Sequence, residues 1–455
     1  MAKSAFLAEA KARGFVFQCT DEAALDELCA GGRTTAYAGF DLTADSLHVG
    51  HMIPIMLLRL FQRHGHRPIA LMGGGTTRIG DPSFREEARQ LLTDEQIAAN
   101  LVGIRKNLES FLTFGKRAND AILVNNADWL DRLGYIDLLR EVGMHVSVNR
   151  MLSFDSVRTR LQREQGLTFL EFNYSILQSY DFRELSRHYG AVLQMGGSDQ
   201  WGNIVSGVDL IRRTDQKIAF GLTTPLITTA SGAKMGKSAA GAVWLTAEKL
   251  NPYNYWQFWR NTEDADVGRF MRLFTDLPLS EIARLEVLQG AEINQAKIIL
   301  ATEATALAHG RPMAEAVAET ARKLFADGGG RAPSPAASAS TPAPVAAAAP
   351  PPPPEALAAE AFALETLPTI SVPISRFNKP GGMPAFELFV LAGLASSNSD
   401  ARRLIRQGGA RVDDLKIAEE QQIIPPKRQM KLSKGREHRL LKVTDDEFSV
   451  RAPHN

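Results

Sequence analysis

Residues 68–75 read PIALMGGG and residues 190–200 read GAVLQMGGSDQ. Each is a short apolar run of strand length that ends in paired glycines, and helical patterns lie between such runs. That alternation predicts a parallel α/β sheet, because parallel strands need helical crossovers and are buried on both faces. Beyond residue 251 the strand-like runs vanish. Segments such as NQAKIILATEATALAHG (294–310) place apolar residues at helical spacing, which predicts a helical subdomain up to residue 326.

The bulk numbers bound the rest. A chain of 455 residues is too long for one ordinary domain, so two or three are expected. Its 52 basic and 51 acidic residues nearly cancel, so any preference for a polyanion must be local. Only Cys19 and Cys29 occur, which argues against a disulfide framework. The start, MAKSAFLAEAKARGF, lacks the apolar core of a secretory signal, and apolar runs such as 53–58 fall far short of the roughly 20 residues that span a bilayer. A soluble cytoplasmic protein without a membrane partner is expected.

From residue 327 to 356 the chain is dominated by Gly, Pro, Ala and Ser, with almost no large apolar side chain. Such a stretch cannot bury a core, and its proline run favours an extended, semi-rigid spacer. Beyond it lies the local charge: residues 402–442 hold twelve Lys or Arg against five Asp or Glu. A basic patch on a nearly neutral chain points to a polyanion.

Two motifs carry the chemistry. Residues 37–51 read YAGFDLTADSLHVGH, a strand-like segment that turns into the apolar helix 52–61. Two histidines around a glycine at a helix start suit phosphate: backbone N–H groups and the helix dipole favour an anion, and imidazoles donate to its oxygens. Alone, either histidine reads as a helix cap. The second motif, Lys234-Met-Gly-Lys237-Ser238, sits in a stretch rich in Gly, Ser and Ala (228–243). Lysines three apart on a loop suit charge developing on a departing pyrophosphate; alone, the pair reads as solvated surface.

Together, His48-Val-Gly-His51 and Lys234-Met-Gly-Lys237-Ser238 resemble the paired signatures of class I aminoacyl-tRNA synthetases. The resemblance sharpens to the bacterial-type tyrosyl enzymes through four blocks, at 37–51, 73–83 (GGGTTRIGDPS), 171–182 (EFNYSILQSYDF) and 193–203 (LQMGGSDQWGN). It implies a Rossmann-type catalytic domain over 1–221, with a dimer-forming insertion near 119–188. A lysine loop and helical anticodon-binding subdomain over 222–326 follow, then the spacer at 327–356 and an α+β RNA-binding domain over 357–455 with its core from 386.

The same resemblance implies the site residues. Tyr37 and Asp181 would meet a phenolic hydroxyl, and Asp81, Tyr174 and Gln178 would hold the amino-acid ammonium, with Gln200, Thr76 and Asn126 in the same pocket. ATP would be met by Gly39, Asp41, Thr43, His48, Gly50, His51, Gly197 and Gln200, with Asp199 on the ribose. The loop lysines Lys234 and Lys237, with Arg85 and Arg89, would help pyrophosphate leave. The implied substrates are ATP with Mg2+, L-tyrosine and tRNA(Tyr), on a homodimer with no permanently bound metal. The chain departs from the family at Gly236, where a serine is common, at Leu42, where proline is usual, and at Ala38, where cysteine is frequent.

Residues 386–417 read FELFVLAGLASSNSDARRLIRQGGARVDDLKI: a short apolar helix, a polar break with Ser399 as cap candidate, then a helix bearing Arg402, Arg403 and Arg406 and ended by Gly408-Gly409. This resembles a small RNA-binding domain shared with a ribosomal protein, which implies that Arg402, Arg403, Arg406 and Arg411 contact RNA phosphates. Two other readings stay open, a tryptophan-specific relative and a non-catalytic RNA-binding protein. Both histidine and lysine signatures speak against the second, and Tyr37 with Asp181 against the first.

Overall fold

The computed structural model describes residues 2–81, 92–163, 167–232, 235, 237–238, 241–326, 369–377, 382–413, 415–417, 419–434 and 437–444. The expected spacer at 327–356, Arg85, Arg89 and Lys234 lie outside the described residues. The chain forms two compact units, residues 1–250 with 258–310, and residues 251–257 with 311–455. Among the described residues no helix is long and apolar enough to cross a membrane.

The first unit is built on a six-stranded sheet of β1 (Gln18–Cys19), β2 (Thr35–Asp41), β3 (Arg67–Gly73), β4 (Ile122–Asn125), β5 (Leu193–Gly197) and β6 (Phe220–Thr224). Their order is β1-β6-β5-β2-β3-β4, with all neighbours parallel except the short edge strand β1. The two runs that open the sequence are thus β3 and β5. β3 is buried from Pro68 to Gly73, as a central strand covered on both faces must be. Helix Met52–Arg63 covers it with nine buried residues, and Tyr37, Ile69, Leu71, Val124, Phe182, Leu185 and Ile211 form one continuous core.

The register of β2 positions everything that follows. It runs beside β3 along its whole length, from Thr35↔Arg67 to Asp41↔Gly73, but pairs with β5 only at Ala36↔Leu193 and Tyr37↔Gln194. Beyond those residues β5 follows β6 instead, to Gly197↔Thr224. The chain leaves β2 toward β3 and β4 on one side and returns to β5 on the other, so a crevice opens between the carboxyl ends of β2 and β5. In open parallel sheets that switch point is where ligands bind.

The helices Val267–Phe274, Leu279–Glu286 and Ile293–His309 follow in the same unit, as the helical spacing predicts. Trp259 packs against Phe270 and Phe274 at ring separations of 6.2 and 4.9 Å. Arg59 and Arg63 of the sheet-covering helix both reach Asp276, and the Arg13 guanidinium donates to the carbonyls of Arg272, Thr275 and Leu277.

In the second unit a five-stranded sheet has the order Leu415–Lys416, Ala410–Val412, Gln429–Lys434, Glu437–Thr444 and Thr369–Pro373; the last pair is parallel. Its helices, Ala385–Leu391 and Asn398–Arg406, share a core of Phe386, Leu388, Phe389, Ile405, Met430, Leu432 and Leu441. Strand Thr369–Pro373 lies ahead of residue 386 yet buries Val372 in that core. The second helix is capped by Ser397, whose hydroxyl accepts from the Asp400 N–H at 3.2 Å, and not by Ser399. An N-cap hydroxyl serves an N–H of the first turn, which has no partner within the helix; three residues on from Ser397 that is Asp400, whereas three on from Ser399 is Arg402, already beyond the first turn.

Gly103, on helix Asp94–Phe111, packs directly on the chain: a Cβ there would lie 1.9 Å from the Asp45 carbonyl oxygen. Gly103→Ala is expected to cost about 1–3 kcal/mol, as overpacking against backbone does, and a lowered urea midpoint with unchanged slope checks it.

Candidate active site

A cavity of about 640 Å³ occupies the crevice between β2 and β5. It is lined by sixteen of the residues singled out above: Tyr37, Gly39, Asp41, Thr43, His48, Gly50, His51, Thr76, Asp81, Asn126, Tyr174, Gln178, Asp181, Gly197, Asp199 and Gln200. The side chain of Lys237 falls outside the described residues, though its backbone pairs with Ala242 in a two-residue hairpin. None of the residues expected at the site lines a second cavity of about 650 Å³ around Asp128, Arg132, Glu141 and Glu184.

At the deep end, Tyr37 and Asp181 are each 1% exposed. Tyr37 projects from β2 with its ring 5.2 Å from Phe182, and its hydroxyl has no hydrogen-bond partner among the described residues. A buried hydroxyl left unpaired costs about 1–3 kcal/mol, so it marks a place for a polar ligand atom. Burial, with the Asp181 charge beside it, holds the Tyr37 phenol well above its ordinary range, so it remains a donor. Asp181, on helix Tyr174–Tyr189, is pushed up to about 7 by burial. The rise is restrained by two donors, Trp129 Nε1 to Oδ1 at 2.7 Å and Asn126 Nδ2 to Oδ2 at 2.9 Å.

Asn126 extends this network toward the cavity mouth. Its Nδ2 also donates to Thr76 Oγ1 at 3.0 Å, and its Oδ1 accepts from the Gly75 N–H at 2.8 Å. Thr76 donates to Asp41 at 3.2 Å, and the Tyr174 hydroxyl reaches both Asp41 oxygens at 3.4 Å. Gly73 must lack a side chain here, because a Cβ would lie 2.6 Å from Thr76 Oγ1 and 2.7 Å from Asp41 Oδ1. Gln178 adds a buried oxygen without a partner among the described residues.

On the β5 side, Gln200 Nε2 donates to Asp81 at 2.8 Å and to Asp199 at 3.1 Å, while its Oε1 accepts from Asn203 at 3.0 Å. Burial pushes the Asp199 carboxyl up, with the Asp81 charge adding to it and Gln200 opposing. These carboxylates suit a ligand that brings hydroxyl donors and positive charge.

Another wall of the cavity is the 37–51 segment. His48 caps the 3-10 turn Val49–His51 that leads into helix Met52–Arg63: its Nδ1 accepts from the Gly50 N–H at 3.0 Å, and its own N–H donates to His51 Nδ1 at 3.3 Å. With both Nδ1 atoms accepting, the proton of each neutral ring sits on Nε2, which makes both rings donors. The cap reading and the phosphate reading are therefore compatible, because capping uses Nδ1 as an acceptor while Nε2 carries the donor. Leu42, where the family usually carries proline, donates its N–H to Thr77 Oγ1 at 2.7 Å, a bond proline cannot make.

The sequence reading passed over Trp129, which completes the Asp181 clamp, and the buried oxygen of Gln194, which has no partner among the described residues. The only signal for Trp129 was its place three residues after Asn126, in NNADW.

In the second unit the Arg402 guanidinium lies 4.2 Å over the Phe386 ring, Arg403 pairs with Asp400 at 2.7 Å and Arg406 with Glu420 at 2.9 Å. Arg403 and Arg406 are exposed, Arg402 is half-buried, and Arg411 lies on strand Ala410–Val412. Exposed ion pairs are worth at most about 1 kcal/mol, so a polyanion can replace them. Among the described residues no cluster of three or more His, Cys, Asp or Glu is placed to hold a metal ion.

A family model described as tRNA synthetases class I (W and Y) matches residues 30–326. A tyrosine–tRNA ligase of Gluconobacter oxydans is 61% identical over 424 residues, 93% of this chain and 94% of that protein. One of Rhodospirillum rubrum is 56% identical over 446 residues, covering 97% of this chain and 98% of the relative. Among solved structures, a C-terminally truncated mitochondrial tyrosyl-tRNA synthetase of Aspergillus nidulans superposes with a TM-score of 0.64 at 31% identity, over 70% of this chain and 94% of that one.

Proposed function

The chain belongs to the class I tRNA synthetases for tryptophan and tyrosine, and from that premise we propose how its cavity divides the work. Its activity is that of a tyrosine–tRNA ligase: L-tyrosine and ATP give tyrosyl-adenylate and pyrophosphate, and the tyrosyl group passes to the 3′-terminal adenosine of tRNA(Tyr).

The observation that carries the assignment of the pocket is the buried pair Tyr37 and Asp181. A phenol both donates and accepts, so its O–H donates to the Asp181 carboxylate while its oxygen accepts from the Tyr37 hydroxyl. Phenylalanine would leave both groups unpaired. An indole N–H only donates, so tryptophan could satisfy Asp181 but would leave the Tyr37 hydroxyl without an acceptor. This is the physics of hydroxyl selection for which the tyrosyl enzyme itself is the standard illustration.

Above that end, Gln178 Oε1, Asp81 and Tyr174 hold the ammonium, with Gln200 fixing Asp81 and with Thr76 and Asn126 linking Asp181 to Asp41. The tyrosine carboxylate then faces the α-phosphorus of ATP. One carboxylate oxygen forms the new P–O bond as the bond to the β-phosphate oxygen breaks in line. His48 and His51 donate through Nε2 to phosphate oxygens, Gly50 and Gly39 leave room for the nucleotide, and Asp199 accepts from the ribose hydroxyls beside Gly197. Thr43, Lys234, Lys237, Arg85 and Arg89 serve the departing pyrophosphate, and Mg2+ enters and leaves with the phosphates as part of the substrate. No covalent enzyme intermediate is needed.

In this reading the helical subdomain that follows the lysine loop within residues 222–326 meets the anticodon arm, and Arg402, Arg403, Arg406 and Arg411 add salt-dependent grip on tRNA phosphates. A homodimer fits the segment 119–188, where Tyr135, Ile136, Met144, Val148 and Phe169 are each more than half exposed. In this reading the enzyme works in the cytoplasm.

Pyrophosphate exchange measured with each amino acid tests the reading. Exchange should be driven by tyrosine, and exchange driven by tryptophan would overturn the pocket. Tyr37→Phe or Asp181→Ala is expected to lower the tyrosine-over-phenylalanine preference by roughly ten- to hundredfold, the equivalent of about 1–3 kcal/mol; an unchanged ratio sinks the assignment.

The pH dependence has a definite sign. Phenol donation requires the Asp181 carboxylate, so tyrosine binding is strongest above about 7 and weakens as pH falls through that value. Trp129→Phe removes a donor to the charged form and moves the midpoint higher; a profile of tyrosine KM against pH for both proteins checks this. Ending the chain after Ala356 is expected to spare tyrosyl-adenylate formation and to impair tRNA charging, and equal charging by the shortened form would remove the role given to the C-terminal arginines.

A further inference from the structure

The histidine segment and the strand that leaves the lysine loop are joined backbone to backbone. Val49 N–H donates to the Val243 carbonyl and Leu245 N–H to the Leu47 carbonyl, each at 2.9 Å, and His48 faces Trp244 in an antiparallel bridge. Two residues earlier, Ala242 pairs with Lys237 across the loop hairpin. So short a ladder has little stability of its own.

Side chains close one end of it. Asn107, on helix Asp94–Phe111 and 6% exposed, accepts at Oδ1 from the Leu47 N–H at 2.8 Å and from the Ser46 hydroxyl at 3.2 Å. Its Nδ2 donates to Thr246 Oγ1 at 3.0 Å, and Thr246 donates to Ser46 Oγ at 2.6 Å. One amide, acceptor on one side and donor on the other, thus ties the residues before His48 to the residue that ends the return from Lys237. The helix that carries it is held at the same place by Gly103 against the Asp45 carbonyl. Asn107 does not line the cavity.

We propose that Asn107 is a positioning residue for the activation step: through Ser46, Leu47 and Thr246 it fixes the separation between the His48–His51 segment and the strand that presents Lys237, so that both meet the same triphosphate. The inference rests on the reading of His48, His51 and Lys237 as phosphate-binding groups. Tyrosine recognition lies at the other end of the cavity, at Tyr37 and Asp181, and does not depend on this clasp. A loosened clasp lets the two groups of donors drift apart, and a misplacement of about 1 Å can cost on the order of a hundredfold in rate.

The test uses the full-length chain and its Asn107→Ala, Thr246→Val and Thr246→Ser variants, in tyrosine-dependent ATP–pyrophosphate exchange and in tyrosine binding without ATP. Asn107→Ala should lower exchange kcat, or raise the KM for ATP, by roughly ten- to hundredfold while leaving tyrosine affinity unchanged. Thr246→Val should lose activity in the same direction, and Thr246→Ser, which keeps the hydroxyl, should regain it. The Asn107→Ala/Thr246→Val double variant should be no worse than Asn107→Ala alone, since both break one clasp. Unmodified kcat and ATP KM in Asn107→Ala, an equal loss of tyrosine binding, or additive losses in the double variant would each overturn the proposal. Where Asn107→Ala does not fold, equal activities of Thr246→Val and Thr246→Ser overturn it. Absence of tyrosine-dependent exchange in the unmodified chain is a different result, and it strikes the proposed function.

Discussion

A carboxyl group buried to 1% exposure and met by two neutral donors is the constraint around which the catalytic unit is arranged. Leaving a buried charge unsatisfied costs several kcal/mol, so Asp181 dictates what must surround it. Asn126 and Trp129 have to stand just past β4, and helix Tyr174–Tyr189 has to present residue 181 to them. Asn126 can donate to Asp181 only in an orientation that also engages Thr76 and Gly75, which fixes the loop after β3. Three separate stretches of chain are committed by one side chain, and the Tyr37 hydroxyl opposite has no partner among the described residues.

The two ends of the cavity are built by different means. The end proposed for the phenol rests on a central strand, a buried helix and the sheet core, and selectivity needs such preorganisation. The end proposed for the phosphates is made where β2 parts from β5, from a capped turn and a short ladder to residues 243–245. There the histidines keep their place because their Nδ1 atoms serve the backbone. The ladder keeps its register because a buried amide closes one end. An end proposed to admit ATP and release pyrophosphate is better served by a few hydrogen bonds than by a packed core.

Much of this was legible in the residues. The runs at 68–75 and 190–200 became β3 and β5, and the helical spacing beyond 251 became helices. The residues expected around a phenol and a nucleotide, where described, line one cavity. That worked because strand and helix periods, glycine punctuation and short motifs are local properties. The cap of the arginine helix was misplaced by two residues, since the run SSNS offers three serines and only the helix start selects among them. Strand Thr369–Pro373 was passed over because its alternation is short and is bounded by prolines at 368 and 373.

What the sequence by itself determined is the chemistry available: two histidines by a helix start, a lysine pair on a loop, carboxylates and phenols in family blocks, and a basic run near the end. What only the tertiary structure decided is which groups are left without partners and which hold others in place. The Tyr37 hydroxyl has no partner among the described residues, and the clamp on Asp181 by Trp129, the bond that Leu42 makes in place of a proline, and the closure by Asn107 join residues 35 to 139 positions apart in the chain. Hydrogen-bond satisfaction is a property of neighbours in space, and sequence lists neighbours only along the chain.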